Sequence, residues 1–304
     1  ECLVGSEMCI RDSPLSMHTA LSEFCSALPA LAHRPVIEVY RDALVAQGWP
    51  TETLEAWGRL PIPDVIDEGV HAVTFRVGCD LARKVEEDTH LAYHNRTHAA
   101  EAVASAGLLV GIELADHPCR REAALVLLTA MVAHDLGHQG WVPDLPLGAM
   151  EAFSAEAATN AWQAYGHPRA WQVAADRIRC IILGTEFVKG PQDNAERLAA
   201  NPDNWLARLA VLANDADILV SALPGVGVER GHQLVDELAQ SGHPHPQAIG
   251  SPAGRLGFLK MVRLRSEAAQ SLGADALRLE QIAALESSLS VAPIAPSVPK
   301  RPGR

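Results

Sequence analysis

Cysteine is sparse and unpaired in this chain. Cys2, Cys9, Cys25, Cys79, Cys119 and Cys180 form no CxxC pair and no spacing of a disulfide framework. The expectation is reduced thiols in a cytoplasmic protein. No apolar run reaches the length of a membrane span, so no membrane partner is expected. Basic residues are outnumbered, with 25 Lys and Arg against 37 Asp and Glu and a formal net charge of −12. That balance argues against non-specific nucleic-acid binding, which draws its affinity from a basic face. A small anionic substrate stays compatible with it if metal ions supply local positive charge. There is no internal repeat. Residues 1–13 lack the charged start and uninterrupted apolar core of a signal peptide, and resemble translated sequencing-adaptor sequence.

What the chain does have is an ordinary globular composition, 48% apolar and 20% charged over 304 residues. That suffices for one large core or two modest ones. Within it stand two histidine clusters, Tyr93-His94-Asn95-Arg96-Thr97-His98 and His134-Asp135-Leu136-Gly137-His138-Gln139-Gly140. His94 and His98 are four apart, as are His134 and His138, and on a helix that spacing puts two imidazoles on one face. Asp135 adds a carboxylate beside His134. Imidazole with carboxylate is a ligand set for zinc, manganese or iron, and extra carboxylate and water suit magnesium or manganese. A third acidic cluster, Asn214-Asp215-Ala216-Asp217, lies downstream. Either histidine pair alone reads as surface histidines; the three clusters together read as a metal site.

The segment 123–133 is apolar on every side and predicts a buried central helix. A buried helix that ends in His134 and Asp135 places polar groups where they need partners, and metal ligation would satisfy them. Residues 17–60 read as two short helices with Thr51 as an N-cap, followed by a turn at 61–64. Apolar residues at a helical period predict a helix over 67–88, where His71 reads as a core or surface residue. Further helices are expected over 93–111, 152–165, 168–183, 204–223, 229–240 and 254–272, the last closing the domain. The Pro/Ser-rich segment 286–304 reads as a disordered tail.

The order Tyr93-His94-Asn95-x-x-His98-Ala99, His134-Asp135-x-x-His138-x-Gly140, Ile182-Leu183-Gly184-Thr185-Glu186, Ala216-Asp217 and Gly257-Phe258-Leu259 resembles the HD-domain metal phosphohydrolases. More closely, it resembles the catalytic domain of the class I 3′,5′-cyclic nucleotide phosphodiesterases. The resemblance covers roughly residues 65–275. It implies an all-α, compact multi-helix bundle with a metal site in a central pocket. The chain then divides into the adaptor-like segment 1–13, a helical lead-in 14–64, a catalytic domain 65–285 and the tail 286–304.

The resemblance also implies roles. His98, His134, Asp135 and Asp217 would hold the first of two divalent metals, zinc or manganese. Asp135 would bridge to a second, magnesium or manganese, held otherwise by waters. Asp215 is the fallback for Asp217. A metal-bridging hydroxide would attack phosphorus, and His94 would protonate the departing ribose oxygen. His138 and Glu156 would orient metal-bound water, with Glu151 the alternative to Glu156. Thr185 and Glu186 would face metal-bound waters, Tyr93 would line the substrate site, and Phe258 would clamp the base. Arg255 stands where the family has a base-reading glutamine; arginine only donates, and so suits guanine acceptors, a phosphate or solvent. The connection after Gly140 is shorter than in the family, which implies a more open rim. The expected activity is hydrolysis of a 3′,5′-cyclic nucleotide to a nucleoside 5′-monophosphate. Arg255 and the short loop favour an alternative, a wider HD-domain phosphohydrolase acting on another nucleotide or phosphoester. A non-catalytic nucleotide sensor ranks last. The partner is a small-molecule nucleotide or phosphoester.

Overall fold

Among its described residues, 14–87, 90–166 and 169–290, the computed structural model contains sixteen α-helices and no strand. The lead-in comprises α1 (Pro14–Leu31), α2 (Val36–Ala46), α3 (Thr51–Arg59) and α4 (Ile62–Asp67), before the long α5 (Val70–Glu87). Next come α6 (Arg96–Glu113) and α7 (Arg120–Ala133), whose ends carry the histidine clusters, then α8 (Ala149–Gln163) and α9 (Arg169–Gly184). The chain continues through α10 (Gly190–Ala200), α11 (Trp205–Ala222) and α12 (Val226–Gln240). It closes with α13 (Pro246–Gly250), α14 (Pro252–Met261), α15 (Glu267–Ser271) and α16 (Ala274–Ser290).

Helix α7 is the hub. Every residue from 123 to 133 is buried, and α5, α6, α9 and α2 pack around it. Leu125, Leu127, Leu128 and Met131 are among the largest fully buried side chains, and each contributes about 1.5–3 kcal/mol by leaving water. Helix α6 lies between α7 and α11 and can do so because it is built from small residues. Ala99, Ala100, Ala102, Ala106 and Gly107 are all buried, and a Cβ at Gly107 would stand 3.1 Å from that of Ala43 on α2. The same economy of space recurs at Gly78 on α5, which lies directly under the ring of fully buried Tyr40. The Tyr40 hydroxyl bonds Thr129 Oγ1 on α7 at 2.8 Å.

Four sequence expectations change. The lead-in holds three helices and α4 rather than two helices and a turn, because a proline at the N-cap or N1 position starts a helix as readily as it breaks one. Pro50, not Thr51, occupies the α3 N-cap, with no side-chain cap bond. The region expected as one helix over 254–272 is α14 and α15 with a turn between, and α16 follows. That helix runs to Ser290, so the first residues of the expected tail are helical, and segments 291–304 and 1–13 lie outside the described residues.

A methyl group at Gly78 tests the packing. Alanine is the better helix former by about 1 kcal/mol. Its Cβ, however, would meet the Tyr40 hydroxyl oxygen and stand 2.5 and 2.8 Å from ring atoms Cζ and Cε1. Overpacking typically costs about 1–3 kcal/mol and should win, so Gly78→Ala should lower the thermal midpoint. A raised midpoint would contradict this packing.

Candidate metal centre

The two clusters are not built as two helix faces. Asn95 is the N-cap of α6, accepting from the Thr97 N–H at 2.8 Å and donating to Leu91 O and Ala92 O. Asparagine is among the strongest caps, so the helix begins after it, leaving His94 in the preceding turn and His98 in the first helical turn. At the other cluster α7 ends at Ala133. His134 is its C-cap, and Gly137, at φ +81°, turns the chain away. The i,i+4 pairs are therefore split and re-paired in space: His98 meets His134, and His94 meets His138.

Around the first pair the donor atoms converge. His98 Nε2 lies 3.0 Å from Asp135 Oδ2 and 3.1 Å from Asp217 Oδ1. His134 Nε2 lies 3.1 Å and 3.3 Å from the same two oxygens, and 3.3 Å from His98 Nε2. Two ligand atoms bound at about 2.1 Å to one ion stand about 3.0 Å apart at right angles and about 3.4 Å apart at the tetrahedral angle. The observed spacings fall within that range. The tautomer points the same way. His134 Nδ1 faces the Met131 carbonyl at 2.8 Å, and a carbonyl only accepts, so Nδ1 carries hydrogen. In the neutral ring Nε2 is then a bare lone pair aimed at two carboxylate oxygens and another imidazole. Only a cation, either protons or a metal, makes that arrangement favourable. His98 and His134 are almost fully buried, while the Asp135 and Asp217 side chains keep 24% and 20% exposure toward a cleft.

Without a metal the site takes up protons. Burial alone would lower His98, but hydrogen bonds and charge from Asp135 and Asp217 hold it up at about 9. His134 is likewise raised, against burial, by the same carboxylates. Burial would raise Asp135 and Asp217, yet the two imidazoles hold Asp135 well below the carboxylate range and Asp217 at about 2.

The second pair is a different device. The His94 and His138 rings stack, with centroids 3.8 Å apart and planes at 17°. Glu237 joins them, and the three residues bring possible ligand atoms within 4.8 Å of one another. Imidazole lone pairs lie in the ring plane, so an ion in the plane of one stacked ring is far off the plane of the other. The geometry suits proton handling instead. His94 Nδ1 lies 2.5 Å from Glu237 Oε1, and the backbone N–H groups of Tyr93 and His94 donate to Oε2 at 2.9 and 2.8 Å. Burial would raise Glu237, but these bonds from His94 and its neighbour hold it below its usual range. Ionised Glu237 keeps hydrogen on Nδ1 and leaves Nε2 for exchange. His138 accepts from the Gly140 N–H at Nδ1, and burial together with the nearby His94 charge lowers it to about 4, so the stacked ring is neutral at pH 7.

Glu237 escaped the sequence reading. It is on α12, 143 residues beyond His94, and no local motif marks it. Helix α12 is clamped to α6 by the buried pair Arg230 and Glu101. Arg230 Nη2 meets Glu101 Oε1 at 2.5 Å, and Nε lies 3.0 Å from Oε2. Glu101 is one turn beyond His98, so this bond sets the register of Glu237 against His94.

The remaining expected residues divide. Asp217 lies in the cluster and Asp215 does not. Asp215 faces the other side of α11, accepting from the Arg265 and Ser266 N–H groups and the Ser266 hydroxyl, and burial is the main cause that raises it to about 6. Glu156 is exposed on α8. Glu151, one and a half turns earlier, is the acid turned toward the site; burial and then Asp135, Glu186 and Asp217 raise it. The preference for Glu156 is thus corrected, because five residues along a helix is more than a third of a turn off register. The Tyr93 hydroxyl bonds Ser221 Oγ at 2.9 Å, and its ring packs against both His94 and His98, a spacer rather than an open substrate wall. The Thr185 hydroxyl donates to Ile182 O while its side chain lines a cleft with Asp217. Glu186 is spent on the backbone N–H groups of Val188, Lys189 and Gly190. Phe258 stacks parallel to Phe187, whose ring lines that cleft, at 6.2 Å. Arg255 is corrected most sharply. It donates to the carbonyls of Ser221, Leu223 and Gly227 and to Gln281 Oε1, so its guanidinium is committed to the C-terminus of α11.

Comparison with known proteins is consistent with this frame. The phosphodiesterase domain of the RhoPDE fusion protein from the choanoflagellate Salpingoeca rosetta has the same fold, with a TM-score of 0.52 and 16% identity over 80% of this chain and 90% of that one. LmjPDEB1, solved in complex with IBMX, gives a TM-score of 0.55 and 14% identity over 82% and 91%. No protein-family model and no curated protein sequence matches the chain.

Two outcomes follow from the cluster. A ring raised from 6.5 to about 9 stabilises the metal-free fold fully below pH 6.5 and loses that contribution as pH climbs toward 9. Thermal melts of metal-free protein should decline over that window, and zinc or manganese, displacing the protons, should remove the decline; parallel curves with and without metal would contradict it. Asp217→Asn should lose bound metal and, with it, the stabilisation that added zinc or manganese gives the parent protein. Asp215→Asn should keep the metal and lose about 1–3 kcal/mol, measured by metal analysis and denaturant titration.

Proposed function

We propose that this chain, which carries the fold of the phosphodiesterase catalytic domains, is a metal-dependent phosphodiesterase that opens a 3′,5′-cyclic nucleotide to a nucleoside 5′-monophosphate. One observation carries the reading: a histidine held by a buried carboxylate stands beside, but outside, a four-residue nitrogen and oxygen cluster. The His94 and His98 ring centroids are 5.8 Å apart. His98, His134, Asp135 and Asp217 would hold a divalent ion such as zinc or manganese, and Asp135 would also serve a second, magnesium or manganese. When bound, such ions lower the pKa of coordinated water and neutralise phosphoryl charge.

The chain's own residues supply the proton chemistry. Hydrolysis adds water across the P–O3′ bond, so phosphorus gains a hydroxyl and the ribose oxygen must gain a proton as it leaves. His94 gives that proton from Nε2. Glu237 keeps Nδ1 protonated and stabilises the imidazolium before transfer. The proton returns from solvent when product leaves. The neutral His138 ring, stacked on His94, fixes its plane without competing for the proton. Asp135 and Asp217 stay partly exposed, so substrate can reach the cluster.

A second reading, a phosphohydrolase acting on another nucleotide or phosphoester, draws on the commitment of Arg255 to the scaffold. Hydrolysis of cyclic AMP and cyclic GMP with added manganese, magnesium or zinc separates the two, with Asp135→Ala as the control. Turnover that vanishes in the variant supports the proposal; absence of turnover in metal-replete protein overturns it in favour of the second reading. General-acid help is worth about 10²–10⁴-fold for an alkoxide leaving group. His94→Ala should lose about that much on the cyclic substrate and far less on a p-nitrophenyl phosphodiester, while retaining metal. Equal losses on both substrates would remove His94 from the acid role.

A further inference from the structure

The cleft that continues from Asp217 has a one-sided hydrogen-bonding character. Its walls are apolar at Phe187, Ile218, Met261 and Val262, and beyond the Asp217 carboxylate its polar groups are Thr185, Gln192, Asn214, Arg263 and Arg265. Most of these are already satisfied. Thr185 donates to Ile182 O; Asn214 donates to Gly184 O and accepts from Asn194. Gln192 accepts from Arg265 Nη2 at 3.0 Å and donates to Glu196. What remains open is donor capacity. Of the Arg265 guanidinium only Nη2 is bonded, to Gln192, among the described residues; Nε is buried away from the cleft. Asp215 accepts the backbone N–H of Arg265, and Gln192 holds one arm of its guanidinium, so the fork is fixed from both ends. Exposed Arg263 adds a second guanidinium at the same cleft, with Nη1 donating to the Lys260 and Val262 carbonyls.

We propose that Arg265, steadied by Gln192, is the residue that selects the base, and that it selects guanine over adenine. The proposal rests on the cyclic nucleotide reading of the site. A flat apolar ring fits the Phe187, Ile218 and Met261 walls. A wall that offers donors requires acceptors opposite it. Guanine presents O6 and N7 side by side, the pattern an arginine fork pairs with; adenine puts an N6 donor beside N7 and sets donor against donor. The selectivity that the sequence suggested for Arg255 thus moves ten residues along, to an arginine at the cleft rather than one closing the end of α11.

The test reads binding, so that it survives failure of the hydrolysis reading. Metal-loaded protein is titrated by calorimetry with the 5′-monophosphates of guanosine, inosine and adenosine, and with ribose 5-phosphate. Inosine shares O6 and N7 with guanosine and lacks its amino group. The guanosine and inosine nucleotides should bind about tenfold or more tighter than the adenosine nucleotide. That ratio should fall toward one in Arg265→Gln, whose amide both donates and accepts. It should fall part way in Gln192→Ala, which leaves the guanidinium in place but unheld. Unchanged metal content and thermal midpoint in the variants exclude misfolding as the cause. Equal binding of the three nucleotides, a ratio that persists in Arg265→Gln, or ribose 5-phosphate binding as tightly as the guanosine nucleotide would each overturn the proposal. The last would mean that the arginines hold phosphate. If the ratio appears and responds to Arg265 while cyclic nucleotides are not hydrolysed, base selection stands and only the reaction assignment fails.

Discussion

Two imidazole nitrogens and two carboxylate oxygens meet within 3.0–3.3 Å at the centre of this fold, and no lysine or arginine is bonded to them among the described residues. Unpaired, such a group is the most expensive thing a core can hold, since desolvated lone pairs and like charges oppose one another at short range. The surrounding helices are arranged to impose the arrangement anyway. Helix α7 is buried on all sides and ends where His134 begins; α6 starts at a cap two residues before Thr97 and three before His98; α11 carries Asp217 into the same space from behind α6. A cation is what turns this conflict into cohesion. Protons do so in the metal-free state, as the raised His98 shows, and a divalent ion does so with better geometry.

The neighbouring dyad follows from the same layout. His94 is just outside the α6 cap, so its ring is free to turn away from the cluster and onto His138. Glu237 meets it only because Arg230 and Glu101 hold α12 against α6. Both buried carboxylates, Glu101 and Glu237, are therefore fully partnered, as buried charges must be. The proposed division of labour sets the ligands, from the start of α6, the end of α7 and the middle of α11, apart from a proton donor just outside the α6 cap.

Much of this was legible in the order of residues. Types and spacing marked the three clusters as a metal site, the family resemblance picked His98, His134, Asp135 and Asp217 from them, and the apolar run 123–133 marked the central helix. The i,i+4 geometry was misread because the helix was carried through Asn95, although asparagine before a helical run is itself a start signal. Glu237 was invisible because its partner is far along the chain and its helix offers no motif. Asp215, Glu156 and Arg255 were misjudged or left open for one reason: the sequence shows that a polar residue is present, not which neighbour it faces. Asp215 and Asp217 differ by about 200° around α11, Glu151 and Glu156 by about 140° around α8, and those angles decide which carboxylate meets the site. Arg255 was drawn to α11 by four acceptors that only the packing of α14 and α16 brings together.

The central claim is that the converging nitrogens and oxygens hold a divalent ion. Anomalous diffraction from crystals grown with zinc, recorded on both sides of the zinc absorption edge, tests it most directly. The account predicts a peak about 2.0–2.2 Å from His98 Nε2, His134 Nε2, Asp135 Oδ2 and Asp217 Oδ1, and none between the stacked rings of His94 and His138. No peak at the four atoms in zinc-replete crystals, with the imidazoles instead hydrogen-bonded to the carboxylates as they are without metal, would contradict it.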